Sequence, residues 1–358
     1  MTVPLKRFEH GGDVYAHAGV IDFSASINPL GMPPKAADAL CSHLADYEAY
    51  PDIECRALAN ALADALDVPA RNIVCTAGAS DLIARICSVV KPERALVTAP
   101  CFSGYEQALE QVGAHIMRHR LRDEEDFALT ERVLSEELLS TSGDGQATGP
   151  SRTVLFLCNP NNPTGSTVDA ALIERVVAEA SDRHIVVVMD ECFLEFTGEP
   201  SSTRLCAQYP DLIIMRAFTK MYAMAGLRLG YGICSDESLI SGLKAAGQPW
   251  AVSTPAQVAG VAALSQEGWI EQSRAYVDRE RAVLQEALSA CGMRVIPSQA
   301  NYLLFQCHHD LYEPLLQRGL LIRRCQNFQE LDDSWYRIAV RTTQENQTLM
   351  AALKEVCR

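Results

Sequence analysis

Short apolar runs alternate with helical patterns through the middle of the chain, and this alternation limits the fold more than any other feature. Six runs end in turn residues and are predicted to be buried strands: residues 72–76, 95–98, 153–158, 185–189, 212–215 and 229–234. Between several of them, apolar side chains recur at helical spacing, as in residues 56–66 and 170–180. Strands joined by helical crossovers form a mostly parallel central sheet with helices on both faces. The sequence therefore predicts an α/β fold that binds its ligands at the carboxyl ends of the strands.

The chain after residue 248 has a different pattern, which is typical of a smaller α+β domain. Its predicted elements are a long helix at 257–288, a strand at 300–306, a helix near 311–317 and strands at 320–323 and 336–341. We expect three units: an amino-terminal arm that is part of the small domain (1–45), a large domain (46–245) and the carboxyl-terminal small domain (246–358). Residues 140–151 are rich in Gly, Ser and Thr, which predicts a solvated insertion loop.

The charge balance excludes some classes of partner. The 358 residues include 31 Lys and Arg against 45 Asp and Glu, a formal net charge of −14, so we expect neither nucleic acid nor a membrane as partner. No stretch approaches the roughly 20 apolar residues of a membrane span, and the amino terminus lacks a signal-peptide core. The 13 cysteines contain no Cys-x-x-Cys pair, which favours a reduced, cytoplasmic protein. The cluster Cys307-His308-His309-Asp310 lacks zinc-site spacing, so no metal site is expected.

Three polar features are predicted to lie at the ends of strands. Asn159-Pro160-Asn161-Asn162-Pro163-Thr164-Gly165 follows one strand, Asp190-Glu191 ends another, and Lys220 follows a third, with Arg228 eight residues later. Taken singly, they are ordinary turn formers, a turn acid or helix cap, and a surface lysine. Together they match a pyridoxal phosphate site, where Asp keeps the ring nitrogen protonated, Lys forms an imine and Arg binds phosphate. A carboxylate at the end of an apolar strand needs such a cationic partner to stay ionised.

A fourth segment has the features of a phosphate cup. Thr76-Ala77-Gly78-Ala79-Ser80 follows a predicted strand and opens a helix, where free backbone amides and the helix dipole attract an anion. The segment lacks G-x-G-x-x-G spacing, so a dinucleotide site is disfavoured.

These motifs, with others along almost the whole chain, resemble those of the type I fold pyridoxal phosphate enzymes of the histidinol-phosphate aminotransferase group. Within that group the chain is most similar to the threonine-phosphate decarboxylases of cobalamin biosynthesis. The features that favour the decarboxylases are His10-Gly11-Gly12, residues 23–33 and Pro249-Trp250. The resemblance implies a type I fold, pyridoxal 5′-phosphate as cofactor, a homodimer and a small phosphorylated amino acid as substrate.

The resemblance also implies a role for individual residues. Lys220 forms the Schiff base and Asp190 pairs with the ring nitrogen, which makes both catalytic. The other cofactor contacts it implies are Asn162 at the ring oxygen, Phe102 on the ring, Ala79, Ser80, Thr219 and Arg228 at the phosphate, and Tyr50 from the other subunit. The substrate contacts it implies are His10, Gly11, Ser26, Asn162, Arg323 and Arg337, with Arg337 at the α-carboxylate and Arg323 and the arm at the phosphate. Two guanidinium groups suit a substrate that carries both anions.

Three positions depart from the patterns of the group. Ser26 stands where these decarboxylases usually have Asn, and Ala217 lacks a hydroxyl often found three residues before Lys220. Phe193 lacks the phenol that aminotransferases place near the ring oxygen, and this change favours a decarboxylase. The expected reaction is decarboxylation of O-phospho-L-threonine to aminopropanol phosphate for cobalamin biosynthesis. The alternatives are a histidinol-phosphate-type aminotransferase, an O-phospho-L-serine decarboxylase and a catalytically silent binding protein.

Overall fold

A seven-stranded sheet forms the centre of the computed structural model, which describes residues 10–133 and 152–357. Its strands are β2 (Ile73–Thr76), β3 (Arg94–Ala99), β4 (His115–Arg120), β5 (Thr153–Cys158), β6 (Val186–Asp190), β7 (Leu212–Ala217) and β8 (Gly230–Ile233). They lie in the order β2-β8-β7-β6-β5-β3-β4. Only β8 runs antiparallel to its two neighbours, so the other six strands of this sheet point the same way. Their carboxyl ends therefore meet at one edge.

Helices cover this sheet because the strands are apolar on both faces. All six residues of β5 and all six of β7 are buried, as a parallel sheet between two helical layers requires. The helices are α1 (Pro34–Ser42), α2 (Arg56–Leu66), α3 (Ala79–Val90), α4 (Gly104–Gln111), α5 (Ala170–Asp182), α6 (Glu237–Ala245), α7 (Thr254–Leu264), α8 (Trp269–Ala290), α9 (Tyr312–Leu316) and α10 (Thr343–Val356). Of these described helices, none is both long and apolar enough to cross a membrane.

A second, antiparallel sheet is built from the carboxyl-terminal part of the chain. Its strands are β9 (Arg294–Val295), β10 (Tyr302–Gln306), β12 (Arg323–Arg324) and β13 (Trp335–Ala339), in the order β12-β13-β10-β9. Strand β1 (Ile21–Asp22) pairs in parallel with β11 (Leu320–Leu321) beside this sheet. The Phe23 carbonyl then accepts a hydrogen bond from Ala339 N–H at 2.8 Å, so the amino-terminal segment is fixed to the small sheet. The domain boundaries at residues 45 and 245 stay a prediction.

The structure differs from the sequence prediction in several elements. The strand expected at 320–323 is two short strands, β11 paired with β1 and β12 paired with β13. The helix expected over residues 257–288 is two helices, because Gly268 has a left-handed φ of +69° and the chain turns between α7 and α8. Strand β4 is not among the predicted strands, since its sequence HIMRHR is too basic to resemble a buried strand. It lies at the edge of the sheet, where charged side chains reach solvent. The loop predicted at 140–151 lies outside the described residues.

Candidate active site

The ends of three adjacent parallel strands bring the main sequence motifs together. Cys158 at the end of β5 is in register with Asp190 at the end of β6, which is in register with Met215 of β7. Asn159 N–H donates to the Asp190 carbonyl at 2.9 Å, so the Asn-Pro segment begins directly beside this acid. Lys220 follows β7 at the same edge. The predicted order of these residues along the edge of the sheet is therefore the order in space.

Asp190 is a buried carboxylate that accepts two well-placed hydrogen bonds. Its side chain is 6% exposed. One oxygen accepts from the Tyr105 hydroxyl at 2.5 Å, and the other accepts from Cys192 N–H at 2.9 Å. Burial raises the pKa of Asp190, whereas these donors act in the opposite direction. Such an acid is strongly stabilised as an anion by a cation next to it.

Lys220 has the environment of a nucleophilic amine. Its Nζ lies 5.1 Å from the centre of the Phe193 ring. Burial, followed by the nearby charge of Arg337, lowers its pKa from 10.5 to about 8. Asp190 acts in the opposite direction but does not cancel this effect. A larger fraction of the amine is therefore neutral near physiological pH, as imine chemistry requires.

Two glycines and Arg228 form a cradle at the amino terminus of α3. The residue that caps α3 is Gly78, which has no side chain to accept a hydrogen bond from the first turn. Because the first N–H groups of a helix have no acceptor within the helix, these amides can bind an anion. A Cβ on Gly78 would lie 2.7 Å from Nη2 of Arg228, and one on Gly230 would lie 2.7 Å from the Gly78 carbonyl carbon. The guanidinium group therefore lies beside the positive end of α3, an arrangement suited to a phosphate. Ala79 and Ser80 occupy the first two positions of this helix.

Two buried arginines lie side by side on neighbouring strands of the small sheet. Arg323 of β12 and Arg337 of β13 are in direct register, and both are buried. Arg323 Nη2 donates to Asn327 at 2.7 Å. Arg337 lies over the Tyr302 ring at 5.2 Å and donates to the Asn162 side chain and, at 3.1 Å, to the Ser24 carbonyl. Like charges directly opposite each other are destabilising, so this pair favours an anionic ligand.

The amino-terminal arm lies against the same region. Gly12 N–H donates to the Ser24 hydroxyl at 2.7 Å, and a Cβ on Gly11 would lie 2.2 Å from the Ser24 carbonyl oxygen. This packing holds His10 6.0 Å from the Phe102 ring. Burial and then the charge of Arg323 lower the pKa of His10. A cleft of about 580 Å³ has His10, Gly11, Ser24 and Arg323 in its lining.

The remaining predicted residues have varied positions. The Ser26 hydroxyl is buried and, within the described residues, has no hydrogen-bond partner. Thr219 is half-buried next to Lys220. Tyr50 is 80% exposed, and its ring lies 4.6 Å from that of Trp250. The contribution of Tyr50 to a second subunit stays a prediction, as do the roles given to the other site residues.

Sequence reasoning missed three contributors to this site. Tyr105 hydrogen-bonds to Asp190 across 85 positions of sequence, and no local pattern signals that contact. Ser24 joins the arm to Arg337 through its hydroxyl and its carbonyl. Gly230 leaves room for the amino terminus of α3. For Gly230 the sequence did contain a signal, since a glycine at the start of an apolar strand often marks a close approach of another backbone.

Comparison with known proteins agrees with this fold and site. The family Aminotransferase class I and II matches residues 18–353, so the chain belongs to that family of pyridoxal phosphate enzymes. Threonine-phosphate decarboxylase of Salmonella typhimurium is 35% identical, over 97% of this chain and 96% of the relative. Histidinol-phosphate aminotransferase of Methanosarcina mazei is 32% identical, over 98% and 93%. The crystal structure of histidinol-phosphate aminotransferase from Clostridium acetobutylicum has a TM-score of 0.84 and 30% identity, and covers 94% of this chain and 98% of that chain.

These findings confirm the predicted fold class and the predicted cofactor, pyridoxal 5′-phosphate. The chemistry of the site fits that cofactor. The cradle at Gly78 and Gly230 offers amides and a guanidinium group to a phosphate. Asp190 offers a buried carboxylate to a protonated ring nitrogen, and Lys220 offers an amine with a lowered pKa to an aldehyde.

Proposed function

We propose that this protein decarboxylates O-phospho-L-threonine to aminopropanol phosphate, a step of cobalamin biosynthesis, as a cytoplasmic homodimer. The observation that carries the proposal is the pair of buried arginines, Arg323 and Arg337, in direct register on neighbouring strands. Two guanidinium groups side by side suit a small substrate with both a phosphate and a carboxylate, since each binds either anion with two hydrogen bonds. The 35% identity to a threonine-phosphate decarboxylase supports the same substrate class.

In this proposal the arginines orient the amino acid. Arg337 receives the α-carboxylate, while Arg323 and His10 receive the substrate phosphate. Arg337 is fixed by its bonds to Asn162 and the Ser24 carbonyl, so it offers the carboxylate a defined direction. Decarboxylation and transamination differ in which bond at the α-carbon is aligned for cleavage, and this alignment depends on where the carboxylate is held.

The cofactor would be held by residues of the large domain. Arg228 and the first amides of α3, at Ala79 and Ser80, would bind its phosphate, and Asp190 would bind its ring nitrogen. When bound, pyridoxal phosphate supplies an electron sink for the pair released from a bond at the α-carbon. Phe102 and Asn162 complete the proposed contacts to the ring.

Lys220 moves the proton in this proposal. Lys220 would hold the cofactor aldehyde until the substrate amine takes its place, and would then be a free ammonium group that carries a proton from that amine. When the bond between the α-carbon and the carboxylate breaks, carbon dioxide leaves, and Lys220 Nζ would deliver this proton to the α-carbon in place of the lost carboxylate. The ring facing this amine is that of Phe193, which has no hydroxyl group to compete as a proton donor.

A histidinol-phosphate aminotransferase is the second candidate, because relatives with that activity are 32% identical over nearly the whole chain. The two candidates are separated by incubating the holoenzyme with O-phosphothreonine, with O-phosphoserine, and with histidinol phosphate plus 2-oxoglutarate. Carbon dioxide and glutamate are measured in each. We expect carbon dioxide with O-phosphothreonine, and none with the Lys220→Ala variant. Glutamate without carbon dioxide would overturn the decarboxylase, and faster release from O-phosphoserine would overturn the choice of substrate.

A further inference from the structure

One contact at the site takes no part in the bond changes at the α-carbon: the hydrogen bond from Tyr105 to Asp190. The donor and acceptor oxygens are 2.5 Å apart, and Tyr105 is only 1% exposed. Burial raises the pKa of Tyr105 well above its ordinary value, so the phenol keeps its proton and acts as the donor. The acceptor is therefore a carboxyl oxygen of Asp190, and this bond favours the ionised form because a carboxylate is the stronger acceptor.

The Tyr105 ring is held in place by packing on both sides. It stacks on Phe156 of β5 with ring centres 4.9 Å apart, and meets Phe102 edge to face at 5.5 Å. Its position in the first turn of α4 fixes the backbone as well. The hydroxyl is thus aimed at Asp190 before any ligand arrives, and little conformational freedom remains to be lost on binding.

Four other titratable groups of the described residues interact with Asp190, namely Cys192, Cys158, Tyr302 and Lys220. The Cys192 thiol also lowers the pKa of Asp190, but a thiol is a weaker hydrogen-bond donor than the Tyr105 phenol. Cys192 and Cys158 are buried thiols whose pKa values burial raises, so they stay neutral. Among the groups that change the pKa of Asp190 in the described residues, Lys220 is the positively charged one. Its amine is assigned to the cofactor aldehyde, so it is not available as a permanent counter-ion for Asp190. Against burial, the ionised form of Asp190 is therefore stabilised by Tyr105 on one oxygen, by Cys192 N–H on the other and by the Cys192 thiol.

We propose that Tyr105 is a positioning residue that holds the Asp190 carboxylate ionised and in one orientation for the protonated ring nitrogen of pyridoxal phosphate. This inference rests on the assignment of Asp190 to the ring nitrogen. Tyr105 acts through Asp190 alone, and it does so whichever reaction the enzyme catalyses. Its effect is therefore expected in cofactor binding by the apoenzyme, without any substrate.

The test is a double-mutant cycle of Tyr105→Phe and Asp190→Asn, read as the dissociation constant of pyridoxal phosphate across about pH 5 to 9. A hydrogen bond to a charged group is worth about 1.5 kcal/mol or more, and the part of it that keeps Asp190 ionised and oriented is lost in Tyr105→Phe, so binding should weaken by up to about tenfold. As the pH falls, affinity is lost when Asp190 becomes protonated. In Tyr105→Phe this acid limb of the profile should lie about one pH unit higher, because Asp190 protonates more readily without the hydrogen bond. Asp190→Asn should abolish that limb, and Tyr105→Phe added to it should change affinity less than about twofold.

The control is Tyr336→Phe, which removes another buried phenol hydroxyl, in this case from the small sheet, and should leave cofactor affinity unchanged. Thermal unfolding of each apoprotein checks that the variants are folded. If Tyr105→Phe weakens binding equally in the unsubstituted protein and in the Asp190→Asn variant, its role is merely structural and the proposal is wrong. Unchanged affinity in Tyr105→Phe refutes it as well. If Asp190→Asn itself binds normally, the assignment of Asp190 fails, and the inference fails with it.

Discussion

Lys220 gives the most quantitative prediction, because its amine must be neutral to attack an aldehyde. Burial and Arg337 lower its pKa from 10.5 to about 8. At a pH of about 7.5, a pKa of 8 leaves roughly 24% of the amine neutral, whereas a pKa of 10.5 leaves roughly 0.1%. From the neutral fraction alone, Lys220 should capture pyridoxal phosphate about 240-fold faster than an ordinary lysine side chain does.

Stopped-flow absorbance can follow this capture by the apoenzyme across about pH 6 to 10. The rate should rise with pH and level off, with its midpoint at a pKa of about 8 for Lys220. In Arg337→Gln the midpoint should move upward, because one positive charge is removed, but it should stay below 10.5, because burial remains. Arg204→Gln, at an exposed ion pair with Glu174, is the matched loss of charge and should leave the midpoint in place.

A midpoint near 10 in the unsubstituted apoenzyme would refute the account of Lys220. The role of Arg337 would be refuted separately if Arg337→Gln left the midpoint where it was or lowered it.

Two further variants, each with a matched control, test the cradle and the stability of the large domain. Gly230→Ala places a Cβ against the backbone of α3, which cannot move aside, so cofactor affinity should fall about tenfold or more in a dialysis assay. Gly226→Ala meets nothing within 4 Å and should bind normally, and equal losses in both variants would rule out the close approach as the cause. Glu191→Gln should lower the free energy of unfolding by about 3–5 kcal/mol in urea, since it removes the carboxylate that forms the ion pair with the buried Arg216. Glu174→Gln at an exposed pair should cost less than about 1 kcal/mol, and a similar cost for both would contradict this reasoning.

The large domain and the heart of the site could be predicted from the sequence because their signals are local. Buried strands such as β5 are continuous apolar runs, and each ends at the residue where the chain turns. Asn162, Asp190 and Lys220 follow three successive parallel strands, and parallel strands place their carboxyl ends at one edge. The order of these residues in the chain therefore already implied that they meet. The prediction of one helix over residues 257–288 was wrong, because a single turn at Gly268 leaves the apolar pattern of the sequence almost unchanged.

The tertiary structure alone decided which other side chains reach this edge. Arg228 precedes β8 and still lies at the cradle, because β8 runs antiparallel to its neighbours. Arg323 and Arg337 face each other only through the register of two antiparallel strands, and a shift of one residue would turn one of them to the opposite face. Tyr105 reaches Asp190 because α4 packs beside the sheet. Periodicity reports which face of an element is buried, but the partner of that face is chosen by packing across the whole chain.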